Sequence, residues 1–222
     1  MMNSITDVTN SFRRHAENFI KVLLHLIWPI NCPVCGRPGE VICHECIESL
    51  FWDEIITHEA ENLQIYSVSF YHTDIKDVIL AFKYAGLKSI CRPIGRVMGE
   101  FLPRPEGVDY IIPVPLHIDS SRKYNQAYEL ALGLSDIWHI EVMNPARWTK
   151  VIPNHAGLNA IERKKLSKDA FRISRDINNL SLVLVDDVCT TGTTLLRLAQ
   201  VCRDSGARVK CAYTLATVSG DL

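Results

Sequence analysis

Leu182-Val183-Leu184-Val185-Asp186-Asp187-Val188-Cys189-Thr190-Thr191-Gly192-Thr193-Thr194 is the stretch on which the reading of this chain turns. Four apolar residues in a row suit a strand buried on both faces, and they stop at two carboxylates followed by small hydroxyl residues around one glycine. Beyond the run, Leu195, Leu196, Leu198, Ala199 and Cys202 recur at helical spacing, and Gly206 falls where a helix C-cap would stand. The pattern predicts a strand, a loop and a helix, with the loop at the helix N-terminus.

Such an N-terminus presents unpaired N–H groups and the positive end of the helix dipole. A glycine among threonines lets the backbone wrap an anion closely, so the loop has the composition of a phosphate cradle. Asp186 and Asp187 would repel a phosphate; their chemistry suits hydroxyl groups or a cation beside it. A phosphorylated sugar satisfies both halves. The plainer alternative makes the acids solvated strand-end residues and Thr190 a simple N-cap. Neither a Rossmann glycine fingerprint nor a P-loop lysine is present.

The chain's 222 residues leave room for one α/β domain and a small attachment, and a net charge of −1 excludes a general electrostatic affinity for nucleic acid. Of eight cysteines, four lie in two knuckles, Cys32-Pro33-Val34-Cys35 and Cys43-His44-Glu45-Cys46. Two Cys-x-x-Cys pairs at this separation place four thiolates around one tetrahedral ion, so Cys32, Cys35, Cys43 and Cys46 are expected to hold a structural zinc with no open position for chemistry. His44 is expected beside that shell. The other cysteines, scattered in apolar segments, read as buried thiols, and together these features favour a reducing cytoplasm.

Residues 11–30 carry Phe19, Ile20, Leu23, Leu24 and Ile27 on one helical face. The apolar run is too short to span a bilayer and lacks a cleavage site. The expectation is a packing helix, with an interfacial helix at the inner face of the membrane as the alternative. Further along, residues 65–71 alternate as a strand, 74–84 and 89–101 read as helices, and Pro103, Pro105 and Gly107 break the pattern. Residues 108–114 form another apolar strand that leaves the sheet through Val114, Pro115 and Leu116, where open α/β sheets bind ligands. A helix with Ser120 or Ser121 as cap follows, its first turn holding Arg122, Lys123, Asn125 and Gln126. Residues 208–218 supply the last strand. The expected divisions are an N-terminal segment (1–30), a four-cysteine finger (31–50), connecting elements (51–106) and a mostly parallel, doubly wound α/β domain (107–222).

Between 163 and 175, Arg163, Lys164, Lys165, Lys168, Arg172 and Arg175 make a basic segment, readable as a solvated helix face or as a grip on pyrophosphate or a nucleic-acid backbone. No catalytic residue is assigned. His117 reads as a surface histidine, and Cys189 as a packing residue whose thiol the neighbouring acids disfavour as a nucleophile.

The opening stretch resembles the 5-phosphoribosyl-1-pyrophosphate (PRPP) motif of type I phosphoribosyltransferases, a hydrophobic strand running into two acids and a Thr-Thr-Gly-x-Thr loop. The resemblance implies that Asp186 and Asp187 hold ribose hydroxyls and residues 190–194 the 5-phosphate, with Val188 and Cys189 part of the same PRPP-binding stretch. It also implies that Val114, Pro115, Leu116 and Arg122 face the pyrophosphate, with Mg²⁺ carried mainly by the ligand. The cysteine knuckles, Lys83-Tyr84-Ala85-Gly86, Pro113-Val114-Pro115-Leu116, Asn125-Gln126 and the acid motif occur in the order seen in the ComF family. This family couples a zinc finger to a phosphoribosyltransferase-like domain. Ser120, Lys123 and Tyr124 replace the family's first Arg, its Gly and its Phe ahead of the helix, and Asn154 or His155 and Leu166 replace a later Gln and Asn. The resemblance implies a cytoplasmic protein of natural competence handling imported single-stranded DNA, with a competence helicase or recombination proteins as partners. Relatives tied to gluconate metabolism or external DNA use are the alternative, as are a single-stranded-DNA adaptor without catalysis and a salvage phosphoribosyltransferase.

Overall fold

A computed structural model describes residues 32, 34–37, 42–50, 54–83, 88–118, 120–149 and 170–218. The amphipathic helix expected over 11–30, the turn at 84–86 and most of the basic segment lie outside them. The chain divides into two units, Met1–Cys46 and Ile47–Leu222, so the break at 103–107 falls inside the second unit.

In the first unit the leading knuckle turns through Gly36, whose φ of 75° is in the left-handed region open to glycine. Its N–H donates to the Cys32 carbonyl at 2.8 Å, and the Cys32 N–H donates to the Arg37 carbonyl at 2.9 Å. Helix α1 (His44–Leu50) starts within the second knuckle.

The second unit is built on a six-stranded sheet. Strands β1 (Ile56–Ala60) and β2 (Leu63–Phe70) form an antiparallel hairpin at one edge. Helix α2 (Thr73–Lys83) is followed, among the described residues, by a 3₁₀ turn at Lys88–Ile90 and by α3 (Cys91–Phe101). Then come β3 (Tyr110–Pro113), α4 (Gln126–Trp138) and β4 (Glu141–Val142), followed by a separate antiparallel pair, β5 (Ala146–Trp148) with β6 (Phe171–Ile173). Strand β7 (Ser181–Cys189), helix α5 (Thr193–Asp204) and strand β8 (Arg208–Thr217) follow.

The order across the sheet is β1-β2-β8-β7-β3-β4, and every pairing except β1 with β2 is parallel. Residues 181–185 of β7 are all buried, as its unbroken apolar run requires of a central parallel strand. Successive residues of β8 point to opposite faces. Tyr213 meets the Trp138 ring of α4 at a centroid distance of 4.9 Å, whereas Ala212 joins the core cluster with Leu195 and Leu198 of α5. The helices that follow β3 and β7 therefore cover opposite faces, and the crevice between these neighbouring strands is the switch point at which doubly wound sheets bind ligands.

Helices α3 and α4 touch through their backbones. A Cβ on Gly95 would overlap the Leu130 carbonyl, and one on Gly133 would overlap that of Arg92. The start of α4 corrects the expectation of a Ser120 or Ser121 cap. Asn125 occupies the N-cap position, and its side chain donates to the Val114 carbonyl at 2.8 Å and caps nothing. Ser120 accepts the Arg122 N–H at 3.2 Å in the preceding loop.

Candidate functional site

The acid pair stands at the carboxyl end of β7, between β8 and β3. Asp186 accepts the backbone N–H of Asp187 at 2.8 Å. Burial, and then the charge of Asp187, push the Asp186 carboxyl up to about 7, against the opposing pull of that N–H, Lys83 and Arg122. Asp187 is buried and forms an ion pair with Lys83 of α2, Nζ to Oδ2 at 3.0 Å.

Val188 and Cys189 continue the strand, so the loop itself begins at Thr190. Thr190 and Thr191 are exposed, Gly192 turns the chain with φ 69°, and Thr193 and Thr194 are already the first residues of α5. No side chain caps this helix, which leaves its leading N–H groups directed at the loop. The Thr191 and Thr193 hydroxyls are 2.8 Å apart. Glycine at 192 answers two demands, its positive φ and the approach of Ala60 and Ile65, which would lie 3.4 Å from a Cβ.

Cys189 is buried, with Sγ 3.4 Å from Nε2 of His58 on β1. Burial raises its thiol to about 11, with Asp186 adding to the effect and the Gly192 backbone N–H opposing it. Such a thiol packs; it is no nucleophile at neutral pH.

On the other wall β3 ends at Pro113, yet the Val114 N–H still donates to the Val185 carbonyl at 2.8 Å. The chain then leaves the sheet with both exit carbonyls held, Val114 by Asn125 and Pro115 by the indole N–H of Trp148 at 2.8 Å. Arg122 donates to Gln126 Oε1 at 2.9 Å, and its charge reaches Asp186. His117 packs on the Trp148 ring, which in turn packs on Phe171.

The acid pair, residues 190–194, the exit at 114–116 and Arg122 thus gather at one edge of the sheet. One charged contributor had no reading as a site residue in the sequence. Lys83 was legible only as part of a turn; outside the site, Glu129, buried in α4, pairs with Lys88 at 3.0 Å.

In the first unit the four Sγ atoms of Cys32, Cys35, Cys43 and Cys46 lie within 4.8 Å of one another. A tetrahedral ion with metal–sulfur bonds of about 2.3 Å needs sulfurs about 3.8 Å apart, so the cluster fits one soft metal ion. Against the penalty of burial, backbone N–H groups of Cys35, Cys43 and Val34 and the Cys46 thiol bring Cys32 down to about 6, whereas burial and neighbouring thiols push up Cys46 and, against the opposing pull of Cys46, also Cys43. The eight cysteines form no disulfide.

A doubly wound sheet with an acid pair, an uncapped hydroxyl-rich helix entry and a proline-bounded exit at its switch point defines a protein of type I phosphoribosyltransferase-like fold. No family model matches the chain. It is 31% identical over 208 residues to Competence protein F of Haemophilus influenzae, covering 83% of this chain and 84% of that one, and on this evidence the chain belongs to the ComF family. It is also 28% identical over 195 residues to DNA utilization protein YhgH of Salmonella typhi, with 79% of each chain covered. A solved adenine phosphoribosyltransferase superposes with a TM-score of 0.42 at 14% identity, over 78% of this chain and 90% of that one. The fold assignment rests on strand order and family membership, not on this partial superposition.

Proposed function

We propose that this chain binds PRPP or a closely related phosphosugar and serves in natural competence. The observation that carries the reading is the acid pair of β7 directly ahead of the uncapped α5 N-terminus, with Arg122 and the β3 exit on the facing wall. Thr190, Thr191, Gly192, Thr193 and Thr194 offer hydroxyls and N–H groups to a 5-phosphate. Asp186 and Asp187 accept from ribose hydroxyls. Arg122 and the backbone at Val114, Pro115 and Leu116 face the pyrophosphate, and Mg²⁺ would be held largely by ligand oxygens, supplying charge neutralisation there. The four cysteines would hold zinc as a folding element. Transfer would need a nucleophilic acceptor to attack C1 as pyrophosphate leaves, with positioning and electrostatics as the protein's contribution. The competence role follows the name of the Haemophilus relative.

Calorimetric titration of PRPP with Mg²⁺ into the wild type and into the Asp186→Asn, Asp187→Asn double variant tests this reading. Binding in the micromolar range, about −8 kcal/mol, is expected for the wild type and none for the double variant. A folded wild type that does not bind PRPP overturns the proposal.

A second reading, a single-stranded-DNA adaptor, draws on β5 and β6. Arg147 and Arg172 are direct cross-strand partners and both are exposed. Like charges placed opposite each other destabilise a ladder, and a polyanion would relieve them. Under this reading the logarithm of DNA affinity falls linearly with the logarithm of salt concentration; a flat dependence removes it.

A further inference from the structure

The acid pair carries a counterion of its own. Lys83 is the last residue of α2, and its side chain is 20% exposed where it meets Asp187, itself 11% exposed. A lysine at a helix C-terminus ordinarily keeps its ammonium in water, where it is strongly hydrated. Burying it costs free energy that only a matched carboxylate offsets. Here the ammonium chooses an acid at the ligand end of the central strand, and its charge acts on Asp186 as well. The charges of Lys83 and Arg122, from two different segments of the chain, both favour the ionised form of Asp186, and Lys83 is in contact with Asp187.

A purely mechanical role would tie the end of α2 to the sheet whatever chemistry lay beside it. Lys88, at the start of the 3₁₀ turn ahead of α3, pairs with the buried carboxylate of Glu129 of α4 at 3.0 Å, an ion pair of the same kind that leaves the acid pair untouched. Lys83 instead places its charge on the acid pair.

We propose that Lys83 is a positioning residue of the phosphosugar site: its ammonium fixes the Asp187 carboxylate to accept ribose hydroxyls and supplies the countercharge that a divalent ion would otherwise bring to the acid pair. The inference rests on the phosphosugar reading. It requires that a sugar phosphate without a diphosphate, which has no need of Mg²⁺ for itself, bind equally well with and without the ion.

The test is calorimetric titration of ribose 5-phosphate into the full chain, in EDTA and in millimolar Mg²⁺, for the wild type, Lys83→Met, Lys83→Arg and Lys88→Met. The wild type should show the same affinity in both buffers. Lys83→Met should bind about tenfold or more weakly in EDTA and recover several-fold in Mg²⁺, while Lys83→Arg stays within about threefold of wild type. Lys88→Met should bind as wild type does. If Lys83→Met fails to fold, Lys83→Gln, which keeps a donor without the charge, carries the same expectation. Unchanged binding by the neutral variant, a loss that Mg²⁺ does not move, or an equal loss in Lys88→Met overturns the proposal. A folded wild type that binds neither ribose 5-phosphate nor PRPP removes the phosphosugar reading and this inference with it; normal wild-type binding beside an unaffected Lys83 variant removes this inference alone.

Discussion

Asp186 shows that a site can cost stability. Its carboxyl is raised from 3.8 to about 7, chiefly by burial and then by Asp187. A carboxyl raised on folding contributes stability that is fully present below about 4 and is lost as pH climbs through about 7, because folding then forces a charge into a poor environment. Replacing it by asparagine should remove that penalty. We expect Asp186→Asn to be more stable than wild type at pH 8 by about 1–3 kcal/mol, with the gain shrinking toward zero near pH 4. Thermal melts at both pH values decide it; a variant less stable at pH 8 would mean that the carboxylate is a net stabiliser. The acid motif was legible in the sequence because strand and charge change abruptly at one place. Lys83 was not, since a helix-terminal lysine has a default position in solvent and only the tertiary fold turns it inward.

At the scale of elements, β2, β3, β7 and β8 were legible from apolar runs or alternation, and α2 to α5 from helical spacing. Strand β1 was not: it sits at the sheet edge with every second residue exposed, and Thr57, His58 and Glu59 interrupt any apolar pattern. Strands β4, β5 and β6 span only two or three residues, too few to show a period. The start of α4 was misplaced because a serine beside a helical stripe signals a cap, while Asn125 gives its side chain to the Val114 carbonyl. The contact of α3 with α4 was equally hidden, although it makes a definite demand. In an open helix Gly→Ala stabilises by up to about 1 kcal/mol. At Gly95 or Gly133 the added methyl meets a backbone carbonyl that cannot step aside, so Gly95→Ala should destabilise by about 2–4 kcal/mol, read as a lower urea midpoint at unchanged slope. A midpoint equal to or above wild type would show that the helices separate freely.

For the whole molecule, the two units make different demands. The first has four clustered cysteines and few buried apolar residues among those described, so its fold should depend on a metal ion held by them. Cys35→Ser or Cys43→Ser should bring bound zinc from about one ion per chain to near zero and expose the unit to proteolysis. Zinc retained at full stoichiometry in either variant would show that the four thiolates do not share one ion. The second unit stands on its own hydrophobic core, and the order of its main strands, helices and acid motif was anticipated in outline because each is marked by its own local pattern.

The order of strands also sets a timetable. Strand β8 lies between β2 and β7, and the Ser67–Thr214 hydroxyl contact that joins β2 to β8 spans 147 residues of chain. On the ribosome the β1–β2 hairpin therefore emerges long before the strand it must pair with. At about 5–20 residues per second that gap lasts about 7–30 seconds, with one full edge of β2 unpaired and able to pair with any passing strand. The newborn chain is most exposed to aggregation in this interval, and a chaperone that covers the open edge of β2 has until β8 emerges to act.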